Sequence, residues 1–304
     1  MKKIAILGGS GFVGSYIVNQ LISSGFYVKL VNRKKHQDVY NSHVISIVSD
    51  LYSDKLYKNF ADCDTVIYNI GIIREFPKLG ITFKDLHQDL PIHIIKMAEM
   101  AGVRKFILMS ANGVERCLTK YEKTKFNAEK YLSKSNLEWT IFRPSLIFGD
   151  PRGNSEFCSQ VKSDIINIPL PAPIFFKGIN FLNAGSFKLS PIHVKNVAQF
   201  FVDSIENDQS NQKIYELGGN KSYTWSELIK VISMACNKKK IQIPVPVFAV
   251  KAVSLFFDQF SWFPITRDQI EMLVSGNTCD SKKHFSDFNI EELSFNHSSL
   301  EYLS

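Results

Sequence analysis

The sequence predicts an α/β protein built on a doubly wound parallel sheet, followed by a smaller C-terminal α/β lobe. Three observations predict it. Six short, nearly continuous apolar runs fill the first half and alternate with helical patterns, as strands do when helices cover both faces of their sheet. A glycine-rich turn separates the first run from the first helical pattern. After about residue 150 the alternation gives way to Pro- and Gly-rich sequence and separate helical stretches.

The strands are expected at KIAILG (3–8), YVKLV (27–31), VISIV (44–48), DTVIYN (64–69), KFILMS (105–110) and EWTIFR (138–143), each buried on both faces. Between the first two, Val13, Ile17, Val18, Leu21 and Ile22 share one helical face and Gly25 supplies the stop. A further helix is expected over 82–101, where Pro91 should kink or restart it. GDPRGNS is a turn cluster, and 168–191 is too rich in Pro and Gly for a long helix. Helices follow at 193–206, 224–236 and 246–260, with a strand-like KIYELGG (213–219) among them. Pro264 is placed to open one more helix through ITRDQIEMLVSG. No internal repeat or low-complexity tract interrupts this order.

Composition narrows the classes. At 304 residues the chain can bury a sizeable core, and 45% hydrophobic with 21% charged residues is an ordinary globular mix. The net charge of +7 is spread out, clustering briefly at Arg33-Lys34-Lys35 and Lys238-Lys239-Lys240. This argues against a nucleic-acid groove and allows weak attraction to an anionic membrane or an acidic partner. Five scattered Cys without C-x-x-C spacing suggest free thiols in a reducing compartment, and seven His without a ligand cluster suggest no metal. MKKIAILGG enters a strand almost at once with no signal or transit peptide before it, so a cytoplasmic protein, or an already processed chain, is expected. The apolar stretch 243–265 contains Lys251, Asp258 and three prolines, and is not expected to cross a membrane.

ILGGSGFVGS places Gly8, Gly11 and Gly14 in G-x-x-G-x-x-G spacing after a strand and at the opening of an amphipathic helix. In that context the first glycine permits the turn, the second admits a pyrophosphate and the third lets helix and strand pack closely, while the helix N-terminus attracts phosphate charge. The expected fold is therefore Rossmann-type. Residues 1–150 form its NAD(P)-binding domain, with 191–220 returning to it, and 151–304 form a smaller substrate or partner lobe. Ser10, Phe12 and Val13 complete the cofactor-facing turn. After the second strand stand Asn32, Arg33, Lys34 and Lys35 in place of the acid that would hold a ribose 2′-hydroxyl. Arg33 can grip a 2′-phosphate through its guanidinium fork, so NADP(H) is preferred over NAD(H); the plainer alternative is a solvated surface charge. Asp50, followed by Leu51, can accept from the adenine amino group or cap the next helix. Asn69 and Gly71 end the fourth strand where backbone can pass close to a cofactor, or simply turn.

KYEKTKFNAEKYL (120–132) holds Tyr121 and Lys125 on one helical face. About one Tyr-x-x-x-Lys is expected by chance in a chain of this composition, so the spacing decides nothing alone. Location is the better argument: Tyr121 follows Ser110, at the end of the fifth strand, and precedes the sixth.

Together with FRPSLIFGD (142–150), PIHVKNVAQFFVDSIE (191–206) and YELGGNKSYTWSELI (215–229), these pieces resemble the extended and atypical short-chain dehydrogenase/reductase superfamily. Residues 82–114 and 263–277 look like the nucleotide-binding accessory subunit of respiratory complex I (NADH:ubiquinone oxidoreductase, alpha-subcomplex subunit nine) and its bacterial relatives, a related branch of which is implicated in ubiquinone biosynthesis. The likeness runs to about residue 290. Lys195-Asn196 depart from it, standing where relatives often carry an acidic pair. The resemblance implies that Tyr121 would exchange a proton with a carbonyl or alcohol. Lys125 would lower the tyrosine's pKa and bind the nicotinamide ribose, and Ser110 would orient the substrate oxygen. It places Pro144 beside the cofactor. It also implies two functions: a complex I accessory or assembly protein with a structural NADPH, or an active NAD(P)H-dependent reductase or epimerase-like enzyme of the kind that acts on a quinone precursor in ubiquinone biosynthesis. Expected partners are the dinucleotide and respiratory complex I or the membrane surface, with peripheral attachment at the cytoplasmic membrane.

Overall fold

In a computed structural model, residues 2–34, 43–257 and 265–304 are described. In chain order the first part gives β1 (Lys3–Leu7), α1 (Phe12–Ser23), β2 (Tyr27–Asn32), β3 (Val44–Val48), α2 (Tyr57–Phe60), β4 (Thr65–Tyr68), α3 (Leu90–Met100), β5 (Lys105–Met109), α4 (Lys120–Leu132) and β6 (Glu138–Pro144). The second part gives β7 (Ile147–Phe148), α5 (Phe157–Val161), β8 (Ala172–Phe176), β9 (Lys188–Leu189), β10 (Ile192–His193), α6 (Val194–Asp203), β11 (Lys213–Leu217), β12 (Tyr223–Thr224), α7 (Trp225–Ala235), β13 (Gln242–Pro246), α8 (Val247–Phe257), α9 (Arg267–Val274) and α10 (Lys282–Asp287).

One seven-stranded sheet runs in the order β11-β6-β5-β4-β1-β2-β3, a Rossmann-type α/β arrangement. Strands β1 to β6 pair in parallel. Their carboxyl ends therefore share one edge of the sheet. The chain winds outward from β1 to β3 and then restarts on the other side of β1 with β4. That reversal is the crevice where open α/β sheets bind ligands.

The chain divides into two compact units: 1–144 with 194–216 and 286–290, and 145–193 with 217–285 and 291–304. The first unit's core packs Leu7, Tyr68, Phe106 and Ile141 of the sheet against Ile94, Ala98 and Leu132 of the helices. On its other side Phe142 stacks with Phe201 of α6, ring centroids 4.6 Å apart, and with Tyr215 of β11. The second unit gathers around Phe148, Phe175, Trp225, Ile229 and Ile270. Among the described residues its strands form two-stranded ribbons, such as β8 with β13.

One expectation changes. The run VISIV is not buried on both faces: Ile45 and Val48 are each 55% exposed. β3 is an edge strand, and among the described residues no strand pairs with its far side. The helix over 82–101 restarts at Pro91, as expected: a π-helical stretch, Lys84–Asp89, runs into α3 with Pro91 in its first turn. In an α-helix the amide of residue 91 would bond the His87 carbonyl. Proline lacks that amide and its ring crowds the carbonyl; the wider turn, closed by Leu90 N–H on Asp85 C=O, relieves both. Helix α9 begins after a Thr266–Gln269 capping box, and the expected start at Pro264 lies outside the described residues.

Candidate functional site

The glycine turn leaves β1 in a conformation only its own residues permit. Gly8 has φ +86° and sits against the end of β4, where a Cβ would stand 2.7 Å from the Asn69 carbonyl. Asn69 in turn donates its side-chain amide to the Gly8 carbonyl at 3.4 Å. A Cβ on Gly14 would meet that same carbonyl at 2.0 Å, so helix and turn interlock there. Gly11 is different: a Cβ would meet nothing nearer than 3.5 Å, and this side of the turn is open.

The helix that begins here is uncapped. Gly11 offers no side-chain acceptor, and the first turn of α1 holds no acid. By contrast, α4, α7 and α9 each begin with a Thr capping box. The contrast leaves the first-turn amides of Phe12, Val13 and Gly14 to an external acceptor, the arrangement that binds phosphate. Ser10, Phe12 and Val13 are half-buried around this opening.

The remaining candidates lie at the same sheet edge. Asn32 ends β2, buried, with its amide nitrogen unpartnered. Arg33 and Lys34 follow in exposed positions, while Lys35 lies outside the described residues. Asp50 accepts the Tyr52 amide at 3.0 Å, which shapes a turn and does not cap a helix. The Leu51 side chain is buried in the core of the first unit. Pro144 ends β6, and its carbonyl accepts from the Asn112 amide at 3.0 Å.

Gly71 links the glycine turn to the Tyr–Lys pair. A Cβ there would lie 3.7 Å from His87 Nε2 and 3.8 Å from Lys125 Nζ. Lys125 is buried and donates to the Met109 carbonyl at 3.1 Å. Burial pushes its ammonium down to about 8, only partly offset by Glu129. Ser110 follows Met109, with its hydroxyl buried and unpartnered. Tyr121 sits in the first turn of α4, held by the Thr119–Glu122 capping box, and its ring lies 5.7 Å from Lys125 Nζ. Burial first, and Glu122 second, hold the Tyr121 phenol well above its usual range. That is opposite to the shift a proton-donating tyrosine needs near neutral pH.

Sequence reasoning missed His87. It stacks on Phe83 at 5.3 Å and meets the Tyr121 ring edge-on at 5.1 Å. Its Nε2 accepts the Ile72 amide at 3.0 Å, so the ring proton sits on Nδ1, which is buried without a partner. Burial, reinforced by the Lys125 charge, pushes this imidazole down to about 2, and it is neutral. His87, Ser110 and Lys125 line one cavity of about 10 Å³, room for about one water. The signal was Pro91, four residues on, whose π turn brings His87 inward.

Among the described residues no His, Cys, Asp or Glu group is arranged to hold a metal ion. Nor is any helix there long and apolar enough to cross a membrane.

An uncapped helix behind an interlocked glycine turn, at the switch point of a parallel sheet, defines a dinucleotide-binding protein. A family described as NAD(P)H-binding matches residues 8–164, just over half the chain, and the chain belongs to it. The NADH-ubiquinone oxidoreductase 40 kDa subunit of Neurospora crassa is 26% identical over 307 aligned residues, covering 98% of this chain and 78% of that protein. NADH dehydrogenase [ubiquinone] 1 alpha subcomplex subunit 9 of Mus musculus is 26% identical, covering 88% of this chain and 70% of its own length. Among solved structures, MoeE5 in complex with UDP-glucuronic acid and NAD superposes with TM-score 0.74 at 16% identity, covering 99% of this chain and 98% of that one, a likeness of fold.

Proposed function

We propose that this chain is an NADP(H)-binding accessory or assembly protein of the complex I type, peripheral at the cytoplasmic membrane, in which the nucleotide mainly stabilises the fold. The relatives named as complex I subunits support the partner. One arrangement favours a structural over a catalytic nucleotide: the Tyr121 ring is packed against Phe83 and His87, and burial holds its phenol above the usual range. A ligand held tightly by the native state alone stabilises it by linkage. Gly8, Gly11 and Gly14, with the α1 amides, would hold the pyrophosphate. Asn69, Gly71 and Lys125 would flank the nicotinamide half, and Arg33 would meet a 2′-phosphate. Residues 151–304 would serve mainly as the partner lobe.

The second reading is an active reductase or epimerase-like enzyme using Ser110, Tyr121 and Lys125. It is favoured by Lys125, which titrates near about 8 in the same cavity wall as Ser110. Purification with quantification of the bound nucleotide separates the two. The structural reading expects NADPH that survives dialysis and does not oxidise with membrane extracts. Rapid exchange, with turnover abolished by Tyr121→Phe, would overturn it. Arg33→Ala should weaken NADPH at least about ten-fold more than NADH; equal weakening would remove the basis for the NADP(H) preference.

A further inference from the structure

In the second unit β8 and β13 run parallel and in register, from Ala172 beside Gln242 to Phe176 beside Pro246. Both strands therefore end on the same side, and the chain leaves them as two adjacent segments, the turn 177–187 and helix α8. This end exposes large apolar side chains. On the turn, Ile179 is 98% exposed, Leu182 81% and Phe181 59%; on the helix, Phe248 is 69% and Val253 46% exposed. Single exposed apolar residues are ordinary, but five at one end of one ribbon are not. The α8 sequence VFAVKAVSLFF carries one charge, Lys251. A helix apolar nearly all round needs apolar cover. Its 11 described residues span about 16 Å, roughly half the thickness of a bilayer's hydrocarbon, a length suited to lying in an interface.

The charge at this end is positive. Lys177 and Lys251, with side chains 55% and 42% exposed, both pair with the single carboxylate of Glu271. We infer that this end of the second unit is a membrane-docking surface, seating Ile179, Phe181, Leu182 and Phe248 at the headgroup–acyl boundary of a bilayer containing anionic lipid. Ile179 and Leu182 stand almost free of their own chain. Such side chains gain cover from a fluid apolar phase that closes around them, while the lysine stems lie along the apolar surface and their ammonium groups reach lipid phosphates. The inference deepens the reading above by naming the surface that meets the membrane, but it requires neither the nucleotide nor complex I.

Flotation of the purified chain, with whatever nucleotide it retains, tests this. The probes are vesicles of mixed phosphatidylglycerol and phosphatidylcholine, and vesicles of phosphatidylcholine alone. The expected result is binding to the mixed vesicles that falls at least about five-fold on phosphatidylcholine alone. The double variant Ile179→Asp, Leu182→Asp should lose about ten-fold or more on the mixed vesicles while melting at the wild-type temperature. A wild-type chain that does not float, or a double variant that floats equally well, overturns the proposal. Binding to isolated complex I but to neither vesicle also overturns it, since the surface would then be a protein interface. Nucleotide content is measured in the same samples. Failed flotation with nucleotide retained would sink this inference alone, and lost nucleotide with intact flotation would sink only the structural-nucleotide reading.

Discussion

His87 is held on three sides: by the Phe83 ring, by the edge of Tyr121 and by the Ile72 amide. Its protonation is therefore a property of the fold. An unfolded histidine takes up a proton near 6.5, but His87 in the folded chain does so only near about 2. As the pH falls through 6.5, the unfolded chain binds a proton that the native chain refuses, and stability is lost. The loss from this one group approaches about 1.4 kcal/mol per pH unit. His87→Gln removes the titration and keeps an acceptor for the Ile72 amide. Its urea midpoint should fall less steeply than that of the wild type between about pH 6 and 4; an unchanged slope would show that His87 is not the responsible group. Lys105 and Lys125 act at the other end of the scale. Both are lowered by burial to about 8 from 10.5. The unfolded chain holds these protons longer, so both contribute stability that rises with pH from about 8 to 10.5. Of these groups only Lys125 is legible in the sequence, because helical spacing and a following strand mark it. His87 depends on a π turn, and Lys105 on partners a hundred residues away, Ser204 and Ser210.

At the scale of elements, α1 shows what an open helix end is for. Its cap residue has φ −78° and ψ 177°, the extended geometry in which a side-chain acceptor normally caps. Gly11→Asp would supply that acceptor, and a Cβ fits there at 3.5 Å. The variant should stabilise the nucleotide-free protein by a few tenths of a kcal/mol up to about 1 kcal/mol while its carboxylate excludes phosphate. Thermal melts with and without NADPH check both halves: wild type should gain from nucleotide, and the variant should start higher and gain little. A variant that still gains fully would remove the α1 terminus from the binding site. Gly14→Ala is expected to do the reverse, costing about 3 kcal/mol or more because its Cβ would collide with the Gly8 carbonyl. The glycine spacing makes this turn visible in the sequence. The exposure of β3 is not visible there, since VISIV reads the same at a sheet edge as at its centre.

Across the whole molecule, the first unit ties strand β6 to helix α4 with a buried charge. Arg143 of β6 donates both Nε and Nη2 to the Glu129 carboxylate of α4, at 3.0 and 2.6 Å, and Nη1 to Glu115 at 2.9 Å. Removing Glu129 takes away two of these charge-assisted hydrogen bonds, while Glu115 and, at 3.6 Å, Glu216 stay with the guanidinium. Glu129→Ala should therefore cost about 1.5–3 kcal/mol in denaturant unfolding, and a cost below about 1 would show that water reaches the pair. Because α4 also carries Tyr121 and Lys125, the same variant should loosen nucleotide retention. By itself the sequence determined the order of strands and helices, the glycine turn and the NAD(P)H-binding class. These rest on local physics: side-chain periodicity, the φ that only glycine tolerates, and the rule that parallel strands need covering helices. Only the tertiary structure decided that His87 meets Tyr121 and the Ile72 amide, that Lys105 is buried against Ser204 and Ser210, and that one end of the second unit presents bare apolar side chains. Each depends on which residues meet once the chain is folded, and periodicity along the chain does not encode that.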